Sequence, residues 1–144
     1  MMTKASKLKR SLIFFCCLAA FSCKDKTNTG SVTDSFERFY EQFHQDSTFQ
    51  LAHIIFPLKG ISTDGDSMGR DPNFHWQEDQ WVLHKPFRED SGFERTWTEV
   101  GDGLITETIV QPQAQVGMER RFARLEDGWY LIYYAGLNKL RVAK

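Results

Sequence analysis

Cysteine is scarce in this chain of 144 residues. Of its three cysteines, Cys16 and Cys17 lie inside an apolar run near the start and Cys23 follows directly after it. Beyond Cys23 there are none. That remainder forms no internal disulfide, holds no cysteine zinc cluster and offers no thiol nucleophile within a fold. Long apolar runs are also missing. Residues 11–21 (SLIFFCCLAAF) fall short of the roughly 20 residues that a membrane-spanning helix needs. A basic excess is absent as well. Four of the 18 Lys and Arg residues lie in the first ten positions, which leaves 14 cations against 19 acids, a net charge of −5. Such a balance disfavours nonspecific binding to nucleic acid or to anionic lipid. No internal repeat, low-complexity segment or catalytic signature stands out, and no cofactor is implied.

What is present begins with an export signal. Lys4, Lys7, Lys9 and Arg10 come without an acid, then an apolar core, then the small residue Ser22 and Cys23. This order makes a bacterial secretory signal. Ala20-Phe21-Ser22-Cys23 resembles the lipobox of bacterial lipoproteins, with Phe21 bulkier than usual and Ala20 in place of the commoner leucine. The resemblance implies cleavage ahead of Cys23 and acylation of its sulfur. Each buried acyl methylene contributes about 0.8 kcal/mol and one chain binds only marginally. The three chains usual on bacterial lipoproteins would make attachment permanent. Ala20-x-Ser22 also suits the ordinary signal peptidase, so a soluble periplasmic protein with a free Cys23 is the alternative. Lys24-Asp25-Lys26 resembles in part a surface-export signal. The expected location is thus the outer membrane, facing the periplasm or the surface. The chain divides into a signal peptide (1–22), a lipidated cysteine and polar tether (23–32) and one domain (33–144).

The domain opens with helix signals. Phe36, Phe39, Tyr40 and Phe43 form one apolar stripe, with Asp34 and Glu37 spaced as a capping box. Ser47 and Gln50 repeat the capping spacing and predict a short second helix reaching about His53. Residues 54–58 are apolar, and Pro57 places them at a sheet edge or bulge. Residues 62–73, with two glycines and Pro72, read as a loop. Strands are then expected at 81–84, at 93–99 with Phe93, Arg95 and Trp97 on one face, at 104–110, at 116–125 and at 129–137. Asp127-Gly128 is the hairpin turn before the last. Helices followed by an antiparallel meander define an α+β fold with helices on one face of a curved sheet.

Several segments together resemble a family of bacterial lipoproteins of unknown function. They are Phe36-x-x-Phe39-Tyr40-x-x-Phe43, Phe49-Gln50-Leu51, Ile55-Phe56-Pro57-Leu58-x-Gly60, the acidic stretch from Trp76 to Trp81, and Asp127-Gly128-Trp129-Tyr130-Leu131. The resemblance covers residues 34–138. It implies a nuclear-transport-factor-like (NTF2-like, cystatin-like) cone, with N-terminal helices packed on a curved antiparallel sheet. It brings no catalytic residue. Cones of this kind carry a pocket between helix and sheet, and fold alone does not say whether the pocket binds or catalyses.

Candidate side chains follow from that pocket. Tyr40 and His44 share one helix face, and the Tyr40 hydroxyl is a candidate to reach the interior. His53, after an apolar stretch, is a candidate pocket base, although such a histidine is more often simply hydrogen-bonded at a helix end. His75, Glu78, Asp79 and His84 are metal-type groups without a metal spacing, so no metal site is assigned. Trp76 and Trp81, flanking four polar residues, are the tryptophans best placed for a binding rim, with core packing the commoner role even for them. The expected ligand contacts are Tyr40, His53, Trp76 and Trp81.

The first functional reading is an envelope lipoprotein, tethered to the bilayer through acylated Cys23, that binds a small molecule, a glycan or another envelope protein. The alternatives are a small lyase or isomerase using a histidine or carboxylate in the cone, and a structural envelope protein without a ligand. A histidine and a carboxylate in mutual hydrogen-bond reach at a cavity would favour catalysis. A cone filled by Phe39, Phe43, Trp97 and Tyr133 would leave only the surface.

Overall fold

The computed structural model describes residues 32–63, 71–88 and 92–140. The export signal, Cys23 and most of the tether lie outside the described residues, as does part of the loop at 62–73. Helix α1 (Val32–Gln45) and the short helix α2 (Ser47–Ala52) are followed by strands β1 (Leu58–Ile61) and β2 (His75–Trp76). A 3-10 turn (Glu78–Gln80) precedes β3 (Glu94–Val100), β4 (Leu104–Gln111), β5 (Val116–Arg124) and β6 (Trp129–Lys139). The six strands form one sheet in the order β2-β1-β6-β5-β4-β3. Among the described residues no helix is long and apolar enough to cross a membrane.

The α1 stripe buries as its period predicts. Phe36, Phe39, Tyr40 and Phe43 are all buried, joined by His44 one position on. Phe36 is the hub, with ring centroids 5.2 Å from Trp97, 5.2 Å from Phe122 and 5.1 Å from Trp129, all edge-on. Edge-on aromatic pairs add about 0.5–1.5 kcal/mol each beyond the area they bury. Helix α1 also takes in Val32, expected as the last tether residue, which packs against the core. Asp46, rather than Ser47, caps α2, its carboxylate accepting from the Thr48 and Phe49 N–H groups at 2.9 and 3.0 Å.

The sheet is mixed rather than wholly antiparallel. Four pairings are antiparallel, but β1 runs parallel to β6. The chain leaving α2 sets this direction. Ile54 already bridges Leu131 in parallel, with Ile55 N–H donating to Leu131 O at 3.1 Å and Leu131 N–H to His53 O at 2.9 Å. Pro57 thus precedes its strand, and β1 lies inside the sheet between β2 and β6. Gly60 is needed there. A Cβ at this position would overlap the Tyr134 carbonyl oxygen and lie 2.7 Å from Trp76 Nε1. Its absence lets the Trp76 indole donate to Tyr134 O at 2.9 Å.

The strand expected at residues 81–84 does not form. Residues 81–88 run as an extended strap without a ladder partner. Gln50, 1% exposed, takes the partner's place. Its Nε2 donates to Phe43 O (2.7 Å) and His84 O (3.0 Å), and its Oε1 accepts from the His84 N–H (2.7 Å) and, more loosely, from Trp81 Nε1 (3.4 Å). A side-chain amide carries the same donor and acceptor as a peptide unit, so one glutamine substitutes for a neighbouring strand here.

Candidate functional site

Strand register builds the site. Trp97 pairs with Glu107, Glu107 with Arg120, and Arg120 with Tyr134, one row across β3, β4, β5 and β6. Side chains in a row share a face, and here that face is the concave one under α1. Below it runs the apolar row Ile105–Phe122, and above it Arg95–Ile109–Met118. Each charge of the middle row therefore sits between apolar neighbours on its own strand.

Burial forces these charges to pair. Glu107 is 1% and Arg120 2% exposed. Arg120 Nε donates to Glu107 Oε2 at 2.5 Å. Tyr40 OH donates to Glu107 Oε1 at 2.6 Å, and Trp97 Nε1 reaches the same oxygen at 3.3 Å. Tyr40 OH in turn accepts from Arg120 Nη2 at 3.0 Å. Nη1 of Arg120 lies 2.9 Å from His44 Nε2 and 3.0 Å from His84 Nδ1. A guanidinium only donates, so both ring nitrogens accept. His44 Nδ1 consequently carries the hydrogen and donates to Tyr40 O at 2.8 Å.

The electrostatics follow from this geometry. Burial, and then the Arg120 cation, push the His44 pKa down to about 4. Burial, Arg120 and His44 push His84 lower still. Burial raises Tyr40 to about 12, with the Glu107 carboxylate adding to the rise against Arg120. At neutral pH the cluster therefore holds one cation, one anion, two neutral imidazoles and a neutral phenol.

Two cavities flank the strap. One, of about 420 Å³, lies between the strap and the sheet, walled by Phe93, Ile109, Met118 and Leu137, with His84 and Arg120 in its lining. The other, of about 340 Å³, is lined by Tyr40, His44, Arg95 and Trp97 with Glu37 and Glu41 of α1. Pro86 and Phe87 line both. Arg95 stacks over Trp97 at 4.7 Å and over Phe87 at 5.2 Å. The cone is thus not filled solid. Phe39 and Phe43 are core, but Tyr133 lies under the half-exposed Arg121, whose guanidinium is 4.4 Å from its ring, on a register row outside the cone.

The residues expected to touch a ligand are dispersed. Tyr40 joins the buried cluster and lines the smaller cavity. Trp76 and Trp81 pack edge-on at 6.3 Å, each against Tyr134 at 5.2 and 5.4 Å, and lie partly buried against the core. His53 lines neither cavity. Its Nδ1 bonds Phe49 O at 2.8 Å and its ring stacks on Phe49 (3.8 Å) and Tyr130 (5.2 Å). His75 is exposed on β2, and His84 sits half-buried in the strap. Glu107, Arg120 and the bridging role of Gln50 were not anticipated. A signal for the first two existed: Ile105-x-Glu107-x-Ile109 and Met118-x-Arg120-x-Phe122 each set one charge, of opposite sign, on an otherwise apolar strand face.

A helical layer against one curved sheet, with a cavity between them, defines an NTF2-like, or cystatin-like, α+β domain. Solved structures bear this out. A cystatin-like protein from Bacteroides caccae matches with a TM-score of 0.51 at 20% identity, over 70% of this chain and 74% of that one. An NTF2-like protein from Bacteroides fragilis matches with a TM-score of 0.55 at 19% identity, over 74% of this chain and 47% of that one, so this chain spans about half its length. A protein from Bacteroides uniformis matches with a TM-score of 0.52 at 18% identity, over 70% of this chain and 75% of that one. Such likeness fixes the fold and transfers no residue role. No family model and no curated protein matches.

The two histidines tie stability to pH. Their folded pKa values lie below the ordinary 6.5, so below pH 6.5 the unfolded chain binds more protons than the folded one. Stability is therefore full above the unfolded value and declines as pH falls toward 4 and beyond. Urea unfolding is expected to show a loss of about 2–4 kcal/mol between about pH 7.5 and about pH 5. The loss should shrink in His44→Gln and His84→Gln chains. Equal stability at both pH values would show that neither imidazole is held neutral.

Proposed function

We propose that this chain is an envelope lipoprotein, anchored through acylated Cys23, whose cone binds a small, largely apolar molecule in the cavity under the strap. The observation that carries the binding reading is that cavity. Its volume of about 420 Å³ falls within the roughly 300–1,000 Å³ typical of small-molecule sites, and its walls are apolar with a few convergent polar groups. The anchoring half rests on the export signal and the lipobox resemblance of Ala20-Phe21-Ser22-Cys23.

Proton-transfer chemistry has less support. Both oxygens of Glu107 already accept hydrogen bonds, and each histidine directs its lone pair at Arg120 rather than meeting the carboxylate. A general base needs a free acceptor within reach of substrate. His53, stacked between two rings, lies at neither cavity.

Two measurements test the two halves. A Cys23→Ser chain, which takes no acyl group, should raise the fluorescence of the neutral dye N-phenyl-1-naphthylamine saturably, and Leu137→Trp, which fills the cavity from its wall, should abolish the response. A dye response untouched by Leu137→Trp would remove the cavity from consideration. Intact mass of the membrane-extracted protein should correspond to a chain starting at Cys23 plus acyl groups. A mass retaining Met1, or lacking acyl mass, would reject the anchor.

A further inference from the structure

Arg120 is more than the partner of Glu107. A guanidinium has five N–H donors. The Nε hydrogen goes to Glu107, the two on Nη1 go to His44 and His84, and one on Nη2 goes to Tyr40. The second Nη2 hydrogen has no acceptor among the described residues, although Arg120 is 2% exposed. Such a buried, charged donor is costly to leave unmet. Arg120 is also part of the wall of the 420 Å³ cavity.

Among the described residues, the charged side chains that line the cavity are cations. Lys85 and Arg88 of the strap line it beside Arg120, and no carboxylate among the described residues does. His84 adds no charge, being held neutral. The remaining walls, including Ile109, Met118 and Leu137, are apolar. Arg120 has one donor to give, which suits a singly charged head better than a phosphate, whose several oxygens need several donors.

We propose that the cavity under the strap takes an amphipathic monocarboxylate, its carboxylate accepting from Arg120 Nη2 and its apolar tail lying along Ile109, Met118 and Leu137. This rests on the binding reading above and names its ligand class. Binding satisfies the fifth donor and brings an anion beside Lys85.

The test uses the Cys23→Ser chain and three ten-carbon probes: decanoate, 1-decanol and decylamine. Decanoate should displace N-phenyl-1-naphthylamine at roughly tenfold lower concentration than 1-decanol, and decylamine should be weakest. The alcohol is the more apolar molecule, so the tail cannot produce this order. Separately, without dye, decanoate should shift the Arg120 guanidinium nitrogen resonances in a 15N NMR titration while 1-decanol should not. Decanol matching decanoate would overturn the carboxylate assignment while leaving an apolar site intact. A decanoate preference with unmoved Arg120 resonances would overturn the role of Arg120 and assign selectivity to the rim. Failure of both dye and decanoate to bind would bring down the binding reading itself.

Discussion

The ion pair between Glu107 and Arg120 is the constraint around which the interior is arranged. Moving two charges out of water costs several kcal/mol per ion, and their attraction repays this only with good geometry and further hydrogen bonds. The fold supplies those bonds from every side. Tyr40 comes from α1, Trp97 from β3, His44 from the last turn of α1 and His84 from the strap. Three separate pieces of chain, α1, β3 and the strap, are thereby bound to one pair on adjacent strands. Burial, and then the Arg120 cation beside them, keep both imidazoles neutral.

From that centre the rest of the architecture becomes intelligible. Polar groups at the middle of a concave face cannot be overlaid by a purely apolar helix, and α1 meets them with Tyr40 and His44 while Phe36 and Phe43 fill the aromatic end. The strap has no ladder of its own. It is held at His84 by the Gln50 amide on one side and by Arg120 on the other. Pinned at that point, it stands off the sheet farther along and leaves the cavity that underlies the binding proposal.

Much of this fold was legible in the sequence, and the boundary of legibility is physical. The α1 stripe announced itself because aromatic residues at a helical period have one economical solution, a helix on a core. The face of β3 and the Asp127-Gly128 hairpin were equally readable, each encoded within a few residues. The parallel course of β1 was not, since direction depends on how α2 delivers the chain to β6. The strap looked like a strand because Trp81, Val82 and Leu83 have strand composition, but a strand requires a neighbour, and Gln50 provided one from 34 residues away. The centre of the site was hidden for a related reason. Glu107 and Arg120 are each a lone charge on an apolar strand face, and only register sets them side by side, while the candidates Tyr40, His53, Trp76 and Trp81 follow from side-chain chemistry and local pattern. Of these, Tyr40 alone bonds to the ion pair, and Trp81 reaches only the edge of the cluster, its ring 4.6 Å from that of His84.

The central claim is that Glu107 and Arg120 act as a coupled unit. A double-mutant cycle in urea unfolding with Glu107→Gln, Arg120→Gln and the combined chain measures this directly. Each single change should cost about 3–5 kcal/mol by leaving its partner charged, buried and unpaired. The combined chain should lose markedly less than the sum, by at least about 1 kcal/mol. Losses that simply add would mean the two side chains are neighbours without being partners, and the account of the interior would fail.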